Sequence, residues 1–188
     1  MKEILKLGVI LFIITAACSG LLGLVNSVTQ PIIAQKKEET KQEAMKVLIP
    51  EAETFVMINE IKEEGIEELY VAQKGKEYLG SVAKVAPEGY GGAIEILIGV
   101  DTNQAVTGIQ ILTHAETPGL GANVNNDSFR MQFVGKKAPL QVVKGSASSE
   151  EISAITGATI TSRAVTEGVN QAVQYINTHQ KVLMGEVK

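Results

Sequence analysis

Residues Leu7 to Val28 read LGVILFIITAACSGLLGLVNSV without one charged side chain, and the uncharged stretch continues to Gln35. At about 1.5 Å per helical residue those positions reach roughly 33 Å, matching a hydrocarbon core about 30 Å thick. A transmembrane helix is expected over residues 7–30, behind a short tail at residues 1–6. The rival is a cleaved leader, because Thr15-Ala16-Ala17-Cys18 is somewhat like a lipobox. Thr15 stands where such boxes carry an aliphatic residue, however, and Ser19 to Val28 stays apolar past the supposed cut, so a retained anchor is the better reading. Lys2 and Lys6 precede the span while Lys36, Lys37, Lys41 and Lys46 come after it. Taken alone, that count would place the C-terminal part in the cytoplasm.

From Pro31 to Pro50 the sequence mixes Lys and Glu with sparse apolar positions, the pattern of a solvated juxtamembrane helix stopped by Pro50. This stalk, residues 31–50, is expected to present an exposed face with no specific partner. Residues 51–188 leave room for one ordinary domain in a chain of 188 residues. With 45% hydrophobic residues and a formal charge of -4, neither disorder nor a basic nucleic-acid surface is indicated. Cys18 is the only cysteine and lies in the apolar run, so no disulfide framework or Cys-based metal site can be built.

Runs rich in Val, Ile and Tyr at Glu53–Ile58, Glu67–Gln73 and Glu77–Ala86 read as strands, the last two joined by a Lys74-Gly75 turn. A second hairpin is expected from Ala93 to Ala115 around Thr102-Asn103. Asp127 is placed to cap a short helix through Val134. From Ser162 to about Met184, Val165, Val169, Ala172, Val173 and Ile176 keep the spacing of three and four that buries one stripe of a helix. The fold class predicted is α+β, a largely antiparallel sheet with packed helices behind one N-terminal transmembrane helix.

Three segments carry the chemistry. Ile155 to Ser162 is dense in hydroxyls and small side chains and lies at a helix N-terminus, where free amides and the helix dipole favour an anion. Gly157 and Ala158 permit close backbone approach, and Thr156, Thr159, Thr161 and Ser162 can donate hydrogen bonds to phosphate oxygens. An ordinary cap by Thr161 or Ser162 would use one hydroxyl; this segment supplies four. The second segment is His114-Ala115-Glu116-Thr117-Pro118-Gly119-Leu120-Gly121. Its Pro118-Gly119 turn leaves the backbone of Gly119 to Gly121 open to a flat ring system, or serves as plain loop chemistry with His114 and Glu116 as a surface pair. In the third, Glu88-Gly89-Tyr90-Gly91-Gly92, Tyr90 either stands beside a ligand or belongs to a glycine-rich strand entry. With two histidines in the chain, no metal cluster and no nucleophilic triad can be assigned, so a Ser- or Thr-dependent hydrolase lacks a base.

The segments GYGGAIEILIGVD, HAETPGLGANV and AITGATITSRAV, in that order behind one span, resemble the FMN-binding subunits of two respiratory complexes. These are the G subunit of the Rnf ferredoxin:NAD oxidoreductase and the C subunit of the sodium-translocating NADH:quinone reductase. The short chain and compact stalk lean toward the Rnf type. The resemblance implies that a flavin transferase attaches FMN by a phosphoester to Thr159, within Thr156-Gly157-Ala158-Thr159-Ile160-Thr161-Ser162. It also implies that Glu116, Thr117, Pro118, Gly119, Leu120 and Gly121 form the loop near the flavin ring. The implied role is a single-electron relay among other membrane subunits of a redox-driven ion pump, with no complete reaction alone. The resemblance further implies lipid around the span and a C-terminal domain on the extracytoplasmic side of the cell membrane, against the lysine count. Many members carry Asp six residues before the flavinylated Thr; Ser153 stands there in this chain. A flavin-free binding or assembly module of the same fold is the alternative that Ser153 leaves open.

Overall fold

The computed structural model of the chain describes residues 2–58 and 65–185. Met1 of the expected tail, and residues 59–64 and 186–188 of the expected domain, lie outside the described residues. The chain divides into two compact units, Met1–Lys41 and Gln42–Lys188.

The described part of the tail, the span, and the stalk as far as Leu48 form one helix, α1 (Lys2–Leu48), which continues through Pro31. An 18-residue stretch of it has a mean hydropathy of 2.4 and none of that stretch is buried, so α1 is long and apolar enough to cross a membrane. Ile10, Phe12, Leu21 and Leu24 are all exposed, and such a surface needs lipid or other spans to cover it. At the other end the stalk departs from the solvated helix expected. Met45, Leu48 and the adjoining Ile49, which already belong to the second unit, are buried, because the sheet of that same unit has an apolar face made by Tyr70, Ala72, Val82 and Leu97.

That sheet has five antiparallel strands in sequence order: β1 (Thr54–Met57), β2 (Ile66–Lys74), β3 (Glu77–Val85), β4 (Glu95–Asp101) and β5 (Val106–Thr113). The alternation of side chains gives it two apolar faces. Tyr70, Ala72, Val82 and Leu97 meet the end of α1, while Leu69, Val71, Ala83, Val85, Ile96 and Ile98 meet the final helix, α3 (Thr159–Gly185). The stripe Val165, Val169, Ala172, Val173 and Ile176 is fully buried against them, as its spacing predicts. The sheet is thus sandwiched between the end of one helix and the length of another.

Turns are where sequence and structure part. The first hairpin turns at Gly75 and Lys76, one position later than expected, because Lys74 still pairs with Glu77. The second needs residues 102–105, with the Asp101 carboxylate accepting from the Asn103 and Ala105 amides at 2.8 and 2.9 Å. The expected helix from Asp127 to Val134 is only the turn α2 (Asp127–Arg130), succeeded by a 3-10 turn at Met131–Phe133. Asp127 does not cap it. The Asn126 carbonyl takes the first bonds, from Phe129 and Arg130, and Asp127 sits in the first turn paired with Arg130.

Two short strands not foreseen, β6 (Gln141–Val143) and β7 (Glu151–Ser153), pair in parallel. Side chains from elsewhere hold them. Asn170 of α3 bonds both the amide and the carbonyl of Leu140, at 2.8 and 2.9 Å, just before β6. Gln132 does the same for Ser153, the last residue of β7, at 2.7 and 3.3 Å. The link that leads into α3 therefore starts from a fixed point.

Candidate functional site

The helix that carries the hydroxyl-rich segment starts earlier than the apolar stripe indicated. α3 begins at Thr159, three residues before Ser162, and its first backbone bond runs from the Ser162 amide to the Ala158 carbonyl at 3.0 Å. The amides of Thr159, Ile160 and Thr161 are therefore the open donors of its first turn. The Ser162 hydroxyl is fully buried, donating to the Ala158 carbonyl at 2.9 Å and accepting from the Ile155 amide at 3.0 Å, so it locks the turn shut. Thr161 is equally committed, its hydroxyl donating to Glu116 at 2.6 Å. Neither acts as an N-cap, and of the four hydroxyls only those of Thr156 and Thr159 are left to face an anion. Thr156 is exposed on the approach to the helix. Gly157 turns the chain there with φ of +78°, a conformation that glycine adopts at little cost.

Glu116 is the centre of the arrangement. One carboxylate oxygen accepts from the Tyr90 and Gly91 amides at 2.7 and 2.9 Å, and the other accepts from Thr161. Its side chain is 6% exposed. Burial pushes the carboxyl up, but the Thr161 hydroxyl, the two amides and the charge interaction with His114 outweigh that and hold it below its ordinary value. Three stretches far apart in sequence are tied by one ionised group. Gly121 makes the tie possible, since a Cβ there would lie 2.2 Å from the Glu116 carboxylate. His114 supports it from behind, its Nδ1 accepting from the Glu116 amide at 3.2 Å and its Nε2 meeting Asn125 at 2.8 Å. His114 and Glu116 are thus joined through the backbone, and Glu116 is no surface residue.

Around this tie lies a cleft of about 490 Å³, within the roughly 300–1,000 Å³ of small-molecule sites. Tyr90 comes from the segment at 88–92, Glu116, Thr117, Leu120 and Gly121 from that at 114–121, and Gly157, Ala158, Thr159, Ile160 and Thr161 from that at 155–162. Thr156, Ser162, His114, Pro118 and Gly119 do not line it. Tyr90, Leu120 and Ile160 are exposed apolar side chains at its edge, 71%, 45% and 57% accessible. Apolar walls for a ring and unpaired amides for a phosphate are the two things an FMN site needs, and both occur in this cleft. Thr159, half-buried in the first turn, makes no side-chain hydrogen bond among the described residues.

Sequence reasoning passed over Gln132, Asn170 and Asn125, which hold backbone or His114 in place. An amide side chain gives no sign in sequence of which distant carbonyl it will meet.

Residues 89–174, which contain the segments at 114–121 and 155–162 and all but Glu88 of that at 88–92, match the family model of the FMN-binding domain, and residues 1–48 match that of the RnfG N-terminal region. The G subunit of the proton-translocating ferredoxin:NAD(+) oxidoreductase complex of Clostridium ljungdahlii is 44% identical over 167 residues, covering 88% of each chain. The chain belongs to this family of Rnf G subunits. Another member, the G subunit of the Na(+)-translocating ferredoxin:NAD(+) oxidoreductase complex of Acetobacterium woodii, is 39% identical over 190 residues, 92% of this chain and 91% of that one. The fold is shared more widely than the family. The crystal structure of the C subunit of the Na(+)-translocating NADH-quinone reductase from Parabacteroides distasonis matches with a TM-score of 0.58 at 21% identity, covering 79% of this chain and 92% of that one. NqrC of Shewanella oneidensis matches with a TM-score of 0.56 at 18% identity, over 73% of this chain and 74% of that one.

Proposed function

We propose that this chain is the electron-transfer G subunit of a membrane-bound, ion-translocating ferredoxin:NAD oxidoreductase, with FMN attached to Thr159 through a phosphoester. The observation that carries the proposal is the position of Thr159. Its hydroxyl is uncommitted, in the first turn of α3, beside the three amides of that helix that precede its first backbone bond. A phosphate esterified there would be compensated by the open donors and the positive end of the dipole.

The remaining lining residues take supporting roles. Leu120, Ile160 and Tyr90 bound the space for a flat ring, and Gly121 and Gly157 let backbone come close to it. Glu116 holds the three segments together from beneath. When bound, FMN supplies one-electron chemistry that the side chains of this chain lack, while the protein orients it and sets its surroundings. Covalent attachment prevents loss of the cofactor, which matters on the extracytoplasmic side, where no pool would replace it. We place residues 51–188 on that side, against the lysine count, with residues 7–30 as the single span and residues 31–50 as the stalk. The partners in this reading are the other membrane subunits of the complex, a flavin transferase for maturation, and lipid around the span.

The test is co-expression with a flavin transferase, then denaturing electrophoresis. Flavin fluorescence is expected to travel with the wild-type chain and to vanish in Thr159→Ala. A wild-type band without fluorescence would favour the flavin-free assembly module instead.

A further inference from the structure

The helix terminus read above as a phosphate site already has an anion beside it. Glu116 lines the same cleft as Thr159, is 6% exposed, and is fastened by the hydroxyl of Thr161, which belongs to the same first turn as Thr159. A carboxylate in that position uses part of the favourable field of the helix N-terminus and repels a second anion. Among the described residues, no lysine or arginine lines the cleft to offset it.

The two forms in which a flavin phosphate can occupy this site differ in charge. Free FMN is a phosphate monoester, carrying about −1.5 to −2 near neutral pH. Once esterified to a threonine its phosphate is a diester with one ionisable oxygen and a single negative charge. We propose that Glu116 is a charge-selective residue of this cleft, one that disfavours the free FMN phosphomonoester and accepts the singly charged phosphodiester on Thr159. This rests on the flavin reading of the cleft.

The attachment that resolves the conflict is balanced in atoms and electrons. Thr159 Oγ1 forms a bond to the flavin-side phosphorus of an activated FMN, a phosphoanhydride. The anhydride P–O bond breaks, the leaving phosphate or nucleotide departs with its electron pair, and the hydroxyl proton is released. No oxidation or reduction accompanies it. The product has one charge fewer beside Glu116 than free FMN would, and the site therefore accepts the phosphate better as a diester than as a monoester. Burial raises the Glu116 carboxyl, but the Thr161 hydroxyl and the Tyr90 and Gly91 amides hold it below its ordinary value in the flavin-free cleft.

Binding to the full-length chain, prepared in detergent from cells without a flavin transferase, tests this by quenching of flavin fluorescence. Three probes are titrated: FMN, its phosphate methyl diester, and riboflavin, which has no phosphate. The wild type is expected to bind the methyl diester about five- to tenfold more tightly than FMN, the size of effect one extra charge produces across a partly solvated cleft. In Glu116→Gln, whose amide can meet the same groups if the Thr161 hydroxyl turns to accept, FMN is expected to tighten relative to riboflavin by a similar factor. Should Glu116→Gln fail to fold, the wild-type comparison of FMN with its diester decides alone. FMN bound at least as tightly as the diester by the wild type would overturn the proposal, as would a gain by Glu116→Gln that riboflavin shares. Failure of riboflavin itself to bind would remove the flavin reading, and this inference with it, whereas riboflavin binding without charge selection would remove this inference only.

Discussion

Substituting Gly121 by alanine adds one methyl group at the most crowded point of the candidate site. The new Cβ would stand 2.2 Å from the Glu116 carboxylate, 2.8 Å from the Thr161 hydroxyl and 2.9 Å from the Glu116 Cβ. Those are the atoms of a buried, charge-assisted hydrogen bond, so relief requires parting Thr161 from Glu116 or moving the loop that bears both Gly121 and Glu116. Losing such a bond and leaving its partners buried costs roughly 2–4 kcal/mol, with overpacking included. Each kcal/mol shifts Tm by roughly 2–5 °C in a domain of this size, so thermal unfolding of the full-length protein should come down by about 4–20 °C. Gly119→Ala is the internal control. Gly119 has φ of +75° with nothing within 4 Å of an added Cβ, so it should cost only the conformational strain, about 1–2 kcal/mol. Circular dichroism of both variants, apo and without transferase, separates the two costs. If Gly121→Ala unfolds no earlier than Gly119→Ala, the Glu116–Thr161 tie is not what closes the site.

Acidification should reach the same tie. The folded carboxyl of Glu116 lies below its ordinary value, so its stabilisation is present above the unfolded value of about 4.3 and is lost as pH falls through the folded one. Denaturant titrations at pH 7 and near pH 3 should therefore show the stability gap between wild type and Glu116→Gln narrowing at the lower pH; a constant gap would contradict the ionised tie. Leu48→Ala, at the buried end of α1, should cost about 2–4 kcal/mol in the same titrations, whereas a stalk with no specific partner would lose almost nothing. For sidedness, protease added to intact cells should cleave residues 51–188, and their protection would reverse the topology.

The architecture was largely legible because it depends on periodicity. The 22 uncharged positions from Leu7 and the stripe from Val165 to Ile176 state which surfaces must be covered, and the alternation in β2 to β4 states which face each residue takes. What could not be read depends on contacts between distant residues. That Thr161 spends its hydroxyl on Glu116, 45 positions away, depends on how the sheet delivers the second segment to the start of α3. The same holds for Leu48 and Ile49, whose spacing reads as a solvated stalk until the second face of the sheet is known. β6 and β7 are three residues each, too short for any pattern, and are pinned by Asn170 and Gln132. The early start of α3 escaped for a related reason: its first turn is set by the buried Ser162 hydroxyl and by Gly157, not by the apolar stripe.

The central claim is that FMN is bonded to Thr159, and it is tested most directly by mapping the modified residue. After co-expression with a flavin transferase, trypsin should release the peptide Gly145–Arg163, which holds Thr156, Thr159, Thr161 and Ser162 together. Fragmentation by mass spectrometry should place the mass of one FMN less one water on Thr159, with the other three hydroxyls unmodified. Modification at Thr161 or Ser162 would contradict the account, since their hydroxyls are committed inside the fold, and an unmodified peptide would remove the covalent bond from it.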